Sequence, residues 1–151
     1  MILKFLIIIG VVYFSILILL FVFQRNILFV PDRSAPSLTE TNVPEMSEVN
    51  IETKDGLSLT SWFYRGKVEK PLIIYFQGNA GNISDRDYKA RFLIDNDYSV
   101  LLLGYRGYGG NKGQPSEEGL RKDGEAALEF ASREGFEASN IILYGESLGT
   151  G

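Results

Sequence analysis

The sequence predicts an α/β protein in which a parallel sheet, covered by helices, follows one membrane-spanning helix. Three observations indicate this class. Residues 5–23 carry no charge, residues Leu72–Phe76 and 100–103 are apolar throughout, and 140–144 is apolar after Asn140. Strands that are apolar on both faces are typical of a parallel sheet buried between helices. Segments with helical start signals separate these strands, and strands alternating with helices build a layered α/β domain.

The first element is an apolar segment long enough to cross a bilayer. As a helix, residues 5–23 would span roughly 28 Å, close to the hydrocarbon core of about 30 Å. A signal peptide and a buried core helix are the alternatives, but no small-residue cleavage pattern follows. We therefore expect a short tail over 1–4 and a single-pass membrane anchor over 5–23. Charges flank both ends, at Lys4, Arg25 and Arg33, so the side of the membrane occupied by the domain stays open.

A linker and a β-hairpin are expected next. Residues 24–47 are rich in proline with serine, threonine and asparagine between, which indicates an irregular lead-in. Residues 48–53 and 57–64 then alternate between apolar and polar side chains, and Asp55-Gly56 between them is a turn signal. We place the start of the folded domain at residue 48 and extend it to residue 151.

Two helices are expected between the buried strands. The first begins near Ser84 with carboxylates in its first turn, and its apolar side would carry Tyr88, Phe92 and Leu93. The second begins after Pro115 with Ser116 and two glutamates. Its narrow face of small and apolar residues is predicted to lie close against the sheet: Leu120, Gly124, Ala127, Leu128 and Ala131.

Composition argues against several functional classes. The net charge is −4 and no Lys/Arg cluster occurs, so no nucleic-acid partner is expected. The chain has neither cysteine nor histidine, which excludes disulfides and leaves only carboxylates for a metal, so no metal or cofactor is expected. The glycine-rich segments lack the Lys-Ser/Thr pair of a Walker phosphate loop.

The most informative motif is Gly145-Glu146-Ser147-Leu148-Gly149, directly after the third buried strand. A G-x-S-x-G sequence at the end of a strand is typical of a nucleophile elbow, a tight turn that exposes a serine hydroxyl. A glycine-rich turn whose serine caps a helix is the alternative. Ser147 is the candidate nucleophile, but a serine needs a general base, usually histidine, and this chain contains none.

Two further glycine segments follow the other buried strands. In an elbow fold, residues 77–82 would offer a backbone N–H to a developing oxyanion, paired with the N–H of Leu148 after the serine. An ordinary tight turn is the alternative. Residues 104–110 contain Arg106, for which a buried structural ion pair is favoured over binding of an anionic substrate.

These segments together resemble the Bem46-like group of α/β-hydrolases over essentially the whole chain. The family has a membrane anchor and four motifs that match here at residues 78–82, 105–109, 115–120 and 145–149, after a similar Phe29-Val30-Pro31 lead-in. The family usually has histidine where Gln77 stands and tends to have serine where Asn111 stands.

The resemblance implies a truncated α/β-hydrolase fold that stops at the elbow. It implies that Ser147 is the nucleophile, with the backbone N–H groups of Leu148 and Asn79 as the oxyanion hole. It also puts the family's catalytic acid and histidine beyond Gly151.

The resulting functional hypothesis is a membrane-anchored serine hydrolase that cleaves esters, thioesters or amides and is inactive as this chain alone. Two alternatives stay open. One is half of a split hydrolase, completed by a complementary C-terminal polypeptide. The other is a non-catalytic membrane-anchored interaction module.

Overall fold

The computed structural model describes residues 2–151. It divides into two compact units, the first ending at Val30 and the second comprising Pro31–Gly151. Helix α1 (Ile2–Leu28) forms the first unit and is long and apolar enough to cross a membrane. The expected anchor, 5–23, lies within this helix. Residues 2–4 of the expected tail are already helical, and Met1 lies outside the described residues.

The rest of the chain forms seven strands and two further α-helices in the described residues. The strands are β1 (Val30–Pro31), β2 (Ser47–Glu52), β3 (Ser58–Tyr64), β4 (Leu72–Phe76), β5 (Ala80–Gly81), β6 (Ser99–Leu103) and β7 (Ile141–Gly145). The helices are α2 (Asp87–Asp95) and α3 (Glu117–Arg133). Short 3₁₀ turns lie at Leu38–Glu40, Ile83–Arg86, Ala138–Asn140 and Ser147–Thr150.

Five strands make one mixed sheet in the order β2-β3-β6-β4-β7. The predicted hairpin is confirmed, since β2 and β3 pair antiparallel around a turn in which Gly56 has a φ of +84°. β3 also pairs antiparallel with β6, whereas β4 pairs parallel with both β6 and β7. The three predicted buried strands therefore form the parallel part of the sheet, with β4 in its middle.

The two helices cover opposite faces of this sheet. α3 packs with Ile74, Leu101 and Leu103 on one face, and α2 packs with Tyr75 and Leu102 on the other. Side chains of neighbouring strand residues point to opposite faces, which explains why strands buried on both sides are apolar at every position. Burying each such side chain contributes about 1.5–3 kcal/mol.

The packing faces of the helices differ in part from the expectation. α2 buries Ala90 and Ile94, while Tyr88 and Phe92 are largely exposed. Both pairs are spaced four residues apart, so periodicity alone could not choose between the two stripes. The packed stripe contains alanine, which allows the helix to lie close to the sheet. On α3 the predicted face is correct except at Leu128, which is exposed.

The lead-in was expected to be a linker over 24–47, and this is wrong for its ends. Helix α1 continues to Leu28, and Val43 and Met46 are buried in the core on the α2 face of the sheet. The backbone N–H of Asn42 donates to Asp87 at 2.9 Å, so this segment is also bonded to the start of α2. Helix α2 has only nine residues, so Val43 and Met46 cover apolar surface on this face of the sheet beside it.

The carboxyl ends of the parallel strands lie side by side along one margin of the sheet, which is called its edge below. Phe76 of β4 pairs with Leu103 of β6 and with Gly145 of β7. The segments that follow these residues, 77–82, 104–111 and 146–150, therefore leave the sheet at the same edge. In open α/β sheets, ligands bind at the carboxyl ends of the parallel strands, at the point where the strand order reverses.

Candidate active site

Ser147 lies in a strained turn directly after β7. Its φ is +49°, and in the described part of the chain only one other non-glycine residue, Asp97, has a positive φ. Such backbone is uncommon for a residue with a side chain and persists only where its surroundings impose it. Ser147 is exposed, and the backbone N–H of Glu146 before it donates to the Phe76 carbonyl at 3.0 Å. The turn is thus fixed to the end of β4.

Both glycines of the pentapeptide are required by close backbone contacts. A Cβ on Gly145 would lie 2.4 Å from the carbonyl oxygen of Gly149. A Cβ on Gly149 would lie 2.3 Å from the carbonyl oxygen of Phe76. Neither contact can be relieved by moving a flexible side chain, since both involve backbone atoms. The sequence motif therefore has a direct steric explanation in this fold.

Glu146 fixes the turn on its other side through a network of polar side chains. Its carboxylate accepts hydrogen bonds from the Tyr75 hydroxyl, from Lys89 Nζ and from Arg86 at 3.1 Å. Lys89, and then Tyr75, lower the pKa of Glu146 to about 2, so the carboxylate is ionised at neutral pH. Sequence reasoning missed these hydrogen bonds. They join the elbow to β4, to α2 and to the 3₁₀ turn before α2, and the bonded residues lie more than fifty positions apart in the chain.

The loop that carries Asn79 lies against the elbow. A Cβ on Gly78 would be 2.9 Å from Oε1 of Glu146, so the two segments are close neighbours. The Tyr108 hydroxyl donates to Asn79 Oδ1 at 2.9 Å. Asn79 and Leu148, the predicted oxyanion pair, therefore lie on adjoining segments at the same edge of the sheet.

Two buried side chains at the ends of this loop differ in their bonding. Asn82 accepts from Ser84 and caps the 3₁₀ turn at Ile83–Arg86, while its Nδ2 donates to Asp32 at 3.0 Å. Gln77 is 1% exposed, and in the part of the chain that the structure describes neither side-chain amide atom has a hydrogen-bond partner. A buried amide without a partner is costly, so we expect Gln77 to be an unfavourable residue at this position.

Arg106 has the structural role that the sequence favoured. Its Nε donates to Asp123 at 2.8 Å and its Nη1 donates to Asp55 at 2.8 Å. Asp123 is fully buried on α3, and hydrogen bonds from Arg106 hold the pKa of Asp55 well below its usual range. The guanidinium therefore binds the loop after β6 to α3 and to the hairpin turn.

Asn111 binds the same loop to β3. Its Oδ1 accepts from the Thr60 backbone N–H at 2.8 Å, and its Nδ2 donates to the Thr60 carbonyl at 3.1 Å. An asparagine side chain can supply both the donor and the acceptor that one strand residue requires. The loop after β6 is consequently fixed at both ends.

Within residues 2–151, the structure contains no group of three or more His, Cys, Asp or Glu side chains that could hold a metal ion. The chain also has no histidine in its 151 residues. The candidate catalytic groups at this end of the sheet are thus those of the elbow and its two adjacent loops. Histidine, the usual general base for a serine nucleophile, is not among them.

Comparison with known proteins identifies the family. No protein-family model matches the chain. The α/β hydrolase domain-containing protein WAV2 of Arabidopsis thaliana is 35% identical over 140 residues, which cover 87% of this chain and 46% of WAV2. The protein Bem46 of Schizosaccharomyces pombe is 35% identical over 104 residues, which cover 66% of this chain and 35% of Bem46. The chain is homologous to part of each of these proteins and so to part of the Bem46-like α/β-hydrolases.

A solved structure agrees with the fold of this Bem46-like chain. The esterase Pf2001 of Pyrococcus furiosus superposes with a TM-score of 0.65 at 20% identity, over 81% of this chain and 48% of the esterase. At that identity the likeness concerns the fold alone. The Bem46-like chain spans less than half the length of WAV2, Bem46 and this esterase.

Proposed function

We propose that this chain supplies the nucleophile and the oxyanion-binding part of a serine hydrolase. The observation that carries the proposal is the strained elbow, in which Ser147 has a φ of +49° and its flanking glycines are enforced by backbone contacts. Ser147 Oγ would attack an acyl carbon of an ester, thioester or amide. The N–H groups of Leu148 and Asn79 would bind the oxyanion, the leaving group would depart, and water would then release the acyl group from the serine.

The proposal requires that the general base and its acid come from outside these 151 residues. The serine proton must move to a base when Oγ attacks. Lys89 bonds directly to Glu146 of the elbow, but its hydrogen bonds to Glu146 and Tyr75 raise its pKa above the usual lysine value, so it stays charged and cannot accept the proton. We therefore propose that the chain alone is inactive and lacks the part of the enzyme that holds the acid and histidine.

A split enzyme is a second candidate, and in it the outer edge of β7 would be the place where the two polypeptides pair. β7 is the last strand in the sheet order, and Ile142, Leu143 and Tyr144 on it are about half exposed. An unpaired strand with apolar side chains on both faces can accept a further strand from another polypeptide. In that case a complementary C-terminal polypeptide would complete the sheet and supply the base.

Membrane anchoring through α1 is part of the proposal. The helix has 27 residues and is long and apolar enough to cross a bilayer. Such a helix would keep the hydrolase on a membrane surface. Retention of the protein in the membrane pellet after alkaline carbonate washing is the expected result, and release into the supernatant would contradict anchoring.

A fluorophosphonate probe, which phosphonylates activated serines, tests the catalytic proposal. Three samples are compared: the 151-residue chain, this chain with a co-expressed C-terminal half, and the longest natural reading frame. Labelling of the second or third sample, lost in Ser147→Ala but kept in Ser139→Ala, is the expected result. Labelling of the 151-residue chain alone would contradict its inactivity.

The same experiment separates the alternatives. Labelling that requires a second natural polypeptide identifies a split enzyme. Absence of labelling in every form, with a partner protein that binds the wild type and Ser147→Ala equally, would instead indicate a non-catalytic module and refute the hydrolase proposal.

A further inference from the structure

We propose that Tyr108 is a positioning residue for the oxyanion-binding loop, acting through the side chain of Asn79. This role rests on the proposed function, because it assigns a purpose to the loop only if Asn79 binds an oxyanion. The observation is the hydrogen bond from the Tyr108 hydroxyl to Asn79 Oδ1 at 2.9 Å. The bond joins the loop after β6 to the loop after β4, across 29 positions of the chain.

The bond from Tyr108 acts at Asn79 itself, within a loop that contains two glycines. Gly78 precedes Asn79, and Gly81, with a φ of +76°, follows two residues later. Glycine adopts many backbone conformations, so it does little to fix the direction of a neighbouring peptide N–H. Asn82 fixes the far end of the loop through its buried cap. The bond from Tyr108 is a further fixed point, placed at the residue whose N–H would act on the substrate.

Tyr108 is well suited to hold a neighbour because it is itself fixed. It is 1% exposed and packs edge to face against Tyr105, with the ring centroids 5.9 Å apart. The next residue, Gly109, donates its N–H to the Asp32 carbonyl at 2.8 Å. Burial raises the pKa of Tyr108 to about 12, so its hydroxyl remains a donor at every physiological pH.

The ion pair of Arg106 extends this rigid support to helix α3. The backbone N–H of Arg106 donates to Asp123 Oδ2 at 3.0 Å, in addition to the side-chain bond. A continuous set of contacts therefore runs from Asp123 on α3 through the loop after β6 to Asn79. An oxyanion donor is effective only when its direction is set before the reaction, since reorganising it later raises the barrier.

The substitution Tyr108→Phe tests the proposal, because it removes the hydroxyl and keeps the buried ring. Tyr105→Phe is the matched control, since it makes the same chemical change three residues earlier in the same packed pair. In the 151-residue chain, we expect the backbone NMR order parameter of Asn79 to fall from about 0.85 toward about 0.6 in Tyr108→Phe, with Asn82 unchanged. In Tyr105→Phe, we expect no change at Asn79.

The second readout is the fluorophosphonate reaction of whichever form of the protein reacts. We expect Tyr108→Phe to lower the maximal rate of labelling about tenfold without changing the probe concentration at half-maximal rate, because only the stabilisation of the developing charge is weakened. An unchanged order parameter at Asn79, or a labelling rate equal to that of the wild type, would overturn the positioning role. If no form of the protein reacts, the proposed function fails, and the order parameter still decides whether Tyr108 fixes Asn79.

Discussion

Replacing Gln77 with methionine should stabilise the protein, although it removes a polar side chain. Methionine has nearly the same shape and length as glutamine. In the described residues, both amide atoms of Gln77 lack a hydrogen-bond partner, and the side chain is 1% exposed. A buried unpaired polar group costs about 1–3 kcal/mol, and an apolar group of the same shape avoids that cost. We therefore expect Gln77→Met to raise the free energy of unfolding by about 1–3 kcal/mol.

Urea unfolding followed by tryptophan fluorescence measures this change. Trp62 is the only tryptophan of the chain and is fully buried, so its emission reports unfolding of the core. A gain of that size in a domain of this length corresponds to a rise in melting temperature of roughly 3–10 °C. Gln114→Met is the control, since Gln114 is exposed and its replacement should change stability by less than about 0.5 kcal/mol.

The opposite result would refute the reasoning. A loss of 1 kcal/mol or more in Gln77→Met would mean that the amide is hydrogen-bonded in solution, to a group or to water. The crevice beside Gln77, lined by Thr60, Asn82 and Tyr108 among others, is too narrow for a water molecule. Gln77→Glu provides a second check, because a buried unpaired carboxylate should destabilise the fold by more than the amide does.

Three further predictions concern the elbow and its support. Gly149→Ala should destabilise the protein by about 3 kcal/mol or more in urea unfolding, because its Cβ would lie 2.3 Å from the Phe76 carbonyl oxygen; a loss under 1 kcal/mol would show that the elbow can move. The pKa of Glu146 is lowered to about 2, so its bonds stabilise the fold fully above about pH 4.5 and are lost as the pH falls toward 2. Glu146→Gln should accordingly cost roughly 1–2 kcal/mol at pH 7 and much less as the pH falls through about 2; an equal loss at both pH values would contradict this. Asp123→Ala should lower the free energy of unfolding by about 3–5 kcal/mol, since it leaves the Arg106 charge buried without that partner. The double variant Asp123→Ala with Arg106→Met should lose less stability than the sum of the two single changes.

Much of the architecture could be predicted from the sequence because its signals are local. Strand β4 is apolar at every position, and the Asp55-Gly56 pair marks the hairpin turn, so both follow from short-range patterns. The elbow is also local, since its glycines and its serine are consecutive. The position of the motif at a strand end followed from the apolar run before it.

The sequence could not choose between two equivalent patterns on one helix. Tyr88 with Phe92, and Ala90 with Ile94, have the same spacing on α2, yet only the second pair packs against the sheet. The choice depends on how close the helix can approach β6, which is a property of the partner surface. The packing of Val43 and Met46 is a similar case, because a lead-in becomes part of a core only where the sheet leaves apolar surface to cover.

The sequence by itself determined the chemistry that this chain can offer: a serine in an elbow, two glycine-rich loops and no histidine. Only the tertiary structure decided how that serine is held. Glu146, Tyr75 and Lys89 lie on three different elements, and the bond from Tyr108 to Asn79 joins two loops. The physical reason is that a turn can be read from consecutive residues, whereas hydrogen bonds between distant residues exist only after the strands have aligned at one edge of the sheet.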